Sequence, residues 1–265
     1  MTRITIDLSR CIGCGACVKD CLMANLKLEG GTVTAGERCI LCGHCVAVCP
    51  KNAVSLSGCA MGETEEYDPE TFTVEPGQFL HAVKFRRSIR QFQKTMVSDE
   101  ARDRILETGR YTATAANRQD NRLIWVQKEL DELKETLWEE LPGVIPLFEK
   151  EAPAMAARFS EFSKAHAADG KDSLFFGAPV LLAIQGQSEL DAGLAAANME
   201  MMAVCEGCGV LYSGYLTRII NWSPALREWL ELGDRDLSIC MLIGYPAVRY
   251  FRTAPRKEEK QVVIR

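Results

Sequence analysis

Two short cysteine runs near the start of the chain constrain the fold more than any other feature. The first run is Cys11-Ile-Gly-Cys14-Gly-Ala-Cys17-Val-Lys-Asp-Cys21, and the second is Cys39-Ile-Leu-Cys42-Gly-His-Cys45-Val-Ala-Val-Cys49-Pro50. Both have the spacing C-x2-C-x2-C-x3-C, in which a tight turn can present three thiolates to one iron–sulfur cube. Because the second run repeats the first at an offset of 28 residues (39 minus 11), the sequence indicates an internal duplication.

This pattern resembles that of bacterial two-cluster ferredoxins, including the Cys49-Pro50 that ends the second run. The resemblance implies that the fourth cysteine of each run binds the other cluster. One [4Fe-4S] cluster is then held by Cys11, Cys14, Cys17 and Cys49, and the other by Cys39, Cys42, Cys45 and Cys21. A disulfide framework is the first alternative, but it needs an oxidising compartment, and no secretory signal precedes Cys11. Zinc is the second, although zinc sites usually pair C-x2-C units across longer spacers.

The bulk composition predicts a second, ordinary globular domain. The chain has 265 residues, with 47% hydrophobic and 25% charged residues, whereas a ferredoxin module needs only about sixty residues. No apolar run approaches the roughly 20 residues that span a bilayer. The net charge of -5 argues against general nucleic-acid binding. Neither a G-x-G-x-x-G motif nor a P-loop is present, so the sequence contains no evident dinucleotide or NTP domain.

Charge divides the rest of the chain. Residues 61–78 carry six acids and no base, with Pro69, Pro76 and Gly77, which favours an exposed linker. Residues 79–94 carry five bases and no acid. We therefore predict a ferredoxin-like domain over residues 1–60, an acidic linker over 61–78 and a second domain over 79–265.

Periodicity predicts an α+β or α/β layer architecture for the second domain. Helices are expected from Ser98-Asp99 to about Arg110, over Glu129–Leu141 with an end at Pro142-Gly143, and over Asp191–Cys208. The apolar runs Pro179–Gln185 and Leu237–Ile243 predict buried strands. Within the first domain, Val18–Leu28 is expected to be a short helix.

Residues 79–265 resemble the flavin-dependent nitroreductase family, and the whole chain resembles its ferredoxin-fused branch. The resemblance rests on four segments in the family's order, which together are moderately specific. These are Arg86-Arg87-Ser88-Ile89-Arg90, the loop Tyr111–Gln119, Phe176-Gly177-Ala178-Pro179, and Gly244-Tyr245-Pro246 followed by Arg256-Lys257. The resemblance implies a homodimer of α/β sandwich domains with FMN at the subunit interface.

The resemblance also implies which residues contact FMN. Arg86, Arg87, Ser88 and Arg90 are expected at the phosphate and ribityl chain, which suits the affinity of arginine forks for phosphate. Thr114, Ala115, Asn117 and Gln119 are expected to reach the flavin of the other subunit. Tyr212, Ser213 and Gly214 are expected near flavin N5, and Arg256 and Lys257 over the phosphate. For the Arg86–Arg90 cluster the alternative is a solvated basic face, and for Arg256 and Lys257 it is a charged tail. No catalytic acid or base is identified.

Four cysteines remain outside the two runs: Cys59, Cys205, Cys208 and Cys240. Cys205 and Cys208 form a C-x-x-C, for which a redox disulfide is one interpretation. Their position at the end of an apolar helix favours the other interpretation, that they are small core residues. His44 is expected beside a cluster and not as its ligand.

These features predict a cytoplasmic oxidoreductase suited to low oxygen. A low-potential donor would reduce the clusters, and electrons would pass through FMN to a nitroaromatic, quinone, activated alkene or free flavin. One alternative is an NAD(P)H oxidoreductase that passes electrons outward to ferredoxin. Another is a non-catalytic electron carrier or redox sensor.

Overall fold

The computed structural model of the protein describes residues 3–258 and 263–264. The chain forms two compact units. The N-terminal unit contains residues 1–73 together with Thr114–Arg118, and the C-terminal unit contains residues 74–113 and 119–265. Within the described residues, no helix has the length and apolar character needed to cross a membrane.

The N-terminal unit repeats one small motif twice. Its elements are β1 (Ile4–Ile6), α1 (Ala16–Lys19), β2 (Leu26–Glu29), β3 (Thr32–Ala35), α2 (His44–Ala47) and β4 (Val54–Leu56). Each half is a strand, a cysteine loop, a one-turn helix and a second strand, and the halves coincide at the predicted offset. β1 pairs antiparallel with β4, so that Ile4 lies opposite Leu56, and β2 pairs antiparallel with β3. The duplication therefore builds two short two-stranded sheets.

The helix predicted for Val18–Leu28 is wrong over most of its length. The helix covers only Ala16–Lys19, and residues 26–29 form strand β2. Gly30 and Gly31 both have positive φ and make the turn to β3, so these residues form a hairpin. Pairing between the two strands, which are close in sequence, outweighs the weak helical pattern.

A four-stranded antiparallel sheet forms the centre of the C-terminal unit. Its strands are β5 (Arg122–Val126), β6 (Val180–Gln185), β7 (Gly209–Tyr212) and β8 (Ile239–Gly244), in the spatial order β5-β6-β8-β7. The register places Leu182 of β6 opposite Met241 of β8. Both central strands are fully buried or nearly so. This confirms the buried strands predicted from the two apolar runs.

Helices cover both faces of this sheet. They are α3 (Pro76–Phe85), α4 (Asp99–Arg110), α5 (Leu130–Phe148), α6 (Pro153–Asp169), α7 (Glu189–Cys205), α8 (Gly214–Trp222) and α9 (Pro224–Trp229). Alternate residues of β6 enter different cores: Leu181 and Ala183 pack with α5, α8 and α9, whereas Val180 and Leu182 pack with α4 and α7. The unit is a three-layer α+β sandwich, as the sequence predicts.

Helix α5 runs past the end predicted for it at Pro142-Gly143. It continues through Pro142 and Pro146 to Phe148. A proline inside a helix costs about 3 kcal/mol. Leu137, Leu141 and Val144 continue the buried stripe on both sides of Pro142, and their burial offsets this cost.

We predict that Leu137→Ala lowers the free energy of unfolding of the C-terminal unit by about 2–5 kcal/mol, because Leu137 is fully buried in the core between α5 and the sheet. Leu147→Ala is the matched control on the same helix, because the Leu147 side chain is 45% exposed. Urea unfolding measures both. Equal losses in the two variants would contradict the assigned burial of α5.

Candidate functional site

Each half of the N-terminal unit contributes to two cavities lined by cysteines. One cavity is lined by Cys11, Cys14, Cys17 and Cys49, and the other by Cys21, Cys39, Cys42 and Cys45. These are the two ligand sets that the sequence predicts, including the exchange of the fourth cysteine between runs. Among the described residues, no group of three or more His, Cys, Asp or Glu side chains is arranged to hold a single metal ion. Four thiols surrounding a cavity suit a [4Fe-4S] cluster.

Backbone N–H groups donate hydrogen bonds to three of these sulfurs. Asn25 N–H donates to Cys21 Sγ at 3.4 Å, and Ala53 N–H donates to Cys49 Sγ at 3.3 Å. These two contacts are equivalent under the duplication. Leu41 N–H donates to Cys39 Sγ at 3.4 Å. Hydrogen bonds to cluster sulfurs raise the reduction potential, since they stabilise the more negative reduced state.

Burial opposes ionisation of the innermost thiols. It raises the pKa of Cys45 to about 11, and it also raises the pKa of Cys17. Iron binds the thiolate form. A bound cluster would supply the positive charge that favours these thiolates, so cluster binding would favour the folded form of this unit.

The loop Thr114–Arg118 belongs to the N-terminal unit, although it lies between α4 and β5 in sequence. Ala115–Asn117 forms one 3-10 turn in which Ala116 has φ 52°. The Asn117 side chain donates from Nδ2 to two carbonyl oxygens of the second cysteine loop, those of Ile40 at 3.0 Å and Leu41 at 2.9 Å. The sequence predicts Asn117, Thr114 and Ala115 at a flavin, and it gives no indication of the Asn117 contacts with the cysteine loop.

The C-terminal unit contains a cleft of about 680 Å³ that begins at the predicted phosphate motif. This volume lies within the range of about 300–1,000 Å³ that is usual for small-molecule sites. Arg86 and Arg87 line one side, and the strand end and tail around Tyr245, Arg249 and Tyr250 line another. The arginine motif and residues 245–250, which follow β8, therefore line the same cleft.

A buried carboxylate accompanies the arginines. Arg86 Nη1 lies 3.0 Å from Glu200 Oε1, and the Glu200 side chain is only 8% exposed. The Tyr212 hydroxyl donates to the same carboxylate, and burial together with Glu200 raises the pKa of this phenol. Arg86, Glu200 and Tyr212 thus form one hydrogen-bonded group, in which the arginine charge is balanced before any ligand binds.

Arg87 occupies a different environment from Arg86. Its guanidinium lies over the Tyr250 ring at 4.1 Å from the centroid, and Nη2 donates to the Arg252 carbonyl at 2.8 Å. Its Nε is buried and has no hydrogen-bond partner in the described part of the chain. An unpaired buried donor in a cleft costs stability unless a ligand accepts from it. A phosphate or another anionic oxygen would fit this donor.

The other predicted flavin residues are distributed around this unit. Ser88 forms a bridge with Val210 of β7, and Arg90 is exposed. The Ser213 hydroxyl accepts from Leu216 N–H and so caps α8, which begins at Gly214. Gln119 is also exposed.

Arg256 and Lys257 lie exposed in the irregular tail. No described contact brings these two residues to the cleft. Their predicted position over a phosphate stays a prediction.

Glu200, Arg249 and Tyr250 were not among the predicted site residues. Glu200 is the one acid in the otherwise uncharged stretch Ala195–Cys205, within a helix that is apolar on all sides, and that isolation was an available signal. The run Arg249-Tyr250-Phe251-Arg252 after Gly-Tyr-Pro was a second signal, since it combines cations with aromatic rings.

The remaining cysteines are free thiols. Cys205 is exposed, whereas Cys208 is buried, and burial raises the pKa of Cys208 to about 11. Cys240 is also buried, in the core of the sheet. High thiol pKa values disfavour thiolate chemistry, which favours the core interpretation of Cys208. The exposed position of Cys205 shows that the same interpretation is wrong for Cys205.

Comparisons with known proteins agree with this architecture. Residues 83–245, more than half of the chain, match the Nitroreductase family, and residues 10–53 match a 4Fe-4S dicluster domain. Two solved nitroreductases with bound FMN share the fold. The protein from Bacteroides fragilis is 20% identical with a TM-score of 0.58, covering 71% of this chain and 99% of its own. The protein from Desulfitobacterium hafniense is 19% identical with a TM-score of 0.56, covering 72% and 100%.

A BluB-like flavoprotein from Clostridium difficile is 15% identical, with a TM-score of 0.55, and covers 72% of this chain and 99% of its own. A search of curated proteins found no match. The shared sandwich, the cleft beside the arginine motif and the matched residues confirm the predicted resemblance. This chain belongs to the nitroreductase family, with a 4Fe-4S dicluster domain at residues 10–53.

Proposed function

We propose that this protein is an iron–sulfur flavoprotein oxidoreductase that binds two [4Fe-4S] clusters and FMN and reduces a small organic acceptor. The observation that carries this proposal is the pair of four-cysteine cavities in a chain of the nitroreductase family. When bound, the clusters would supply single electrons, and the flavin would deliver them in pairs as hydride.

The flavin residues proposed from the family resemblance fall into three groups. Arg86, Arg87, Ser88 and Arg90 would hold the phosphate and ribityl chain, together with Arg256 and Lys257. Tyr212, Ser213 and Gly214 would lie beside the ring. Thr114, Ala115, Asn117 and Gln119 would approach the ring from the second subunit. The unpaired Nε of Arg87 supports an anionic ligand in the cleft.

The role of Arg86 differs from that of Arg87. Because Glu200 already balances its charge, Arg86 contributes little net attraction for an anion. The Glu200 carboxylate instead fixes the Arg86 guanidinium and the Tyr212 phenol in one orientation. The raised pKa of Tyr212 keeps that phenol protonated, so it remains a donor to Glu200.

The overall reaction that we propose is the two-electron reduction of an acceptor such as a quinone, a nitroaromatic, an activated alkene or free flavin. Two reduced one-electron donors of the ferredoxin type supply the electrons, and two protons come from solvent. A quinone then becomes a hydroquinone, and a nitro group becomes a nitroso group plus water.

We propose that the protein acts as a homodimer. Helix α3 has no buried residue, and its Phe79, Leu80, Val83 and Phe85 side chains are 39–52% exposed. An exposed apolar patch of this kind indicates an association surface. A second copy of the chain is the occupant that the family resemblance implies. The free state of all twelve cysteines is consistent with a reducing compartment, and we propose the cytoplasm.

We predict that anaerobically prepared protein contains about eight irons and one FMN per chain. Cys42→Ala should lose about half of the iron, because Cys42 lines only one cavity. Cys59→Ala is the control, since Cys59 lies outside both ligand sets. Iron, sulfide and flavin analysis measures all three proteins. Zinc in place of iron, or equal iron in Cys42→Ala and wild type, would contradict the assigned ligands.

We predict that Arg87→Gln raises the dissociation constant for FMN about tenfold or more, because hydrogen bonds to charged groups contribute about 1.5–3 kcal/mol. Fluorescence titration with FMN measures the affinity. Arg102→Gln removes an arginine that pairs with Asp99 on α4 and does not line the cleft, so it should bind FMN normally. An unchanged affinity in Arg87→Gln would show that the phosphate binds elsewhere.

We predict that Cys42→Ala slows flavin reduction by a ferredoxin-type donor, while direct reduction by NAD(P)H, if wild type supports it, is retained. Stopped-flow absorbance at flavin wavelengths follows both reactions. Reduction of wild type by NAD(P)H, followed by electron release to oxidised ferredoxin, would instead favour outward flow. Binding of FMN without turnover of any acceptor class would favour an electron carrier.

A further inference from the structure

The two cysteine loops differ at one backbone position. Under the duplication, Gly13 of the first loop corresponds to Leu41 of the second, and both adopt the left-handed conformation, with φ of 64° and 57°. A Cβ at residue 13 would overlap the Gly31 carbonyl, so only glycine fits there. A leucine is strained in this conformation, because its Cβ crowds the neighbouring carbonyl oxygen. The second loop therefore requires contacts that hold Leu41 in place.

Asn117 supplies such contacts. Its carboxamide donates to the carbonyl oxygens of Ile40 and Leu41, which are the two peptide groups that flank Leu41. The carboxamide has two N–H hydrogens, and each is used by one of these acceptors. Asn117 itself has φ 53°, a conformation that asparagine adopts more readily than most residues. The residue type thus suits both its own backbone and its donor role.

The peptide group between Ile40 and Leu41 also contacts a proposed cluster ligand through its N–H. Leu41 N–H donates to Cys39 Sγ at 3.4 Å. Within the described residues, the matching Cys11 sulfur receives no such bond from Gly13. Rotation of the peptide groups at Leu41 would turn this N–H away from the sulfur. The donor would then no longer stabilise the reduced, more negative state of a cluster at this site.

We propose that Asn117 is a positioning residue for the cluster site of Cys39, Cys42, Cys45 and Cys21. By clamping the peptide groups on both sides of Leu41, it keeps the Leu41 N–H on Cys39 Sγ and so raises the reduction potential of that cluster. This inference rests on the proposed cluster binding. It is a separate role from the flavin contact proposed above for Asn117, because here the Nδ2 group donates to two carbonyl oxygens of the cysteine loop.

The test compares Asn117→Ala and Asn117→Asp with wild type, all loaded with clusters and FMN. The alanine variant removes both donors, whereas the aspartate variant keeps the shape and the tolerance of positive φ but replaces donors by acceptors. Asn52→Asp is the matched control. Asn52 lies exposed in the same unit with φ 47°. Its substitution by aspartate is the same isosteric change as Asn117→Asp and adds the same charge.

Two readouts are independent of turnover. A reductive titration followed by electron paramagnetic resonance gives the midpoint potentials, and the wave that belongs to this site is the one absent from Cys42→Ala. Both Asn117 variants should lower that midpoint and leave the other unchanged. Iron release from this site to a chelator should accelerate about tenfold or more, since the two hydrogen bonds that hold the cysteine loop are lost. Asn52→Asp should leave both quantities near wild type.

The outcomes separate this inference from the proposed function. Wild type without iron would overturn the cluster assignment itself. Full iron content with unchanged potential and unchanged iron release in both Asn117 variants would overturn the positioning role. Loss of FMN with intact cluster properties would show that Asn117 serves the flavin. An equal shift in Asn52→Asp and Asn117→Asp, with none in Asn117→Ala, would show a charge effect and would also overturn the proposal.

Discussion

The stability of the N-terminal unit depends on its cysteines, because its hydrophobic core is small. Its buried core consists of seven side chains, and two of these, Cys17 and Cys45, belong to the ligand sets. A core of this size rarely stabilises a domain alone. Burial raises the pKa of both thiols, so the apo unit opposes their ionisation. Bound iron would favour the thiolate forms, so cluster binding would stabilise the folded unit.

The duplication explains why the two cavities are lined alike. Hydrogen bonds to sulfur that differ between the two halves allow clusters in these cavities to differ in reduction potential. The bonds from Asn25 and Ala53 to Cys21 and Cys49 repeat at equivalent positions. The bond from Leu41 to Cys39 is specific to the second loop. Leucine occupies a position where the first loop has glycine, and a side chain 76 residues further along the chain holds it there. Two sites with the same ligands can therefore differ in reduction potential.

Charge compensation organises the cleft of the C-terminal unit. Two adjacent arginines have opposite roles because their surroundings differ. Glu200 neutralises Arg86 and fixes it. Arg87 lies against Tyr250, and within residues 3–258 and 263–264 its buried Nε has no hydrogen-bond partner. A single anionic ligand can satisfy Arg87 without competing with Glu200. The three-layer sandwich makes this possible, because it brings α7, which carries Glu200, and the tail after β8 to the same place.

The sequence by itself determined the features that depend on local spacing or on residue type. The cysteine spacing, together with the ferredoxin resemblance, predicted which four cysteines line each cavity. The apolar runs predicted β6 and β8, because a strand buried on both faces has few polar residues. The tertiary structure decided the features in which distant segments compete or pair. Strand pairing formed the β2–β3 hairpin where a helix was predicted, and burial of apolar side chains allowed α5 to continue past two prolines. Glu200 paired with Arg86, and Asn117 formed hydrogen bonds with the second cysteine loop. Arg86 and Glu200 are 114 residues apart in the chain, and Ile40 and Asn117 are 77 residues apart. No local pattern encodes which distant partner a polar side chain will contact.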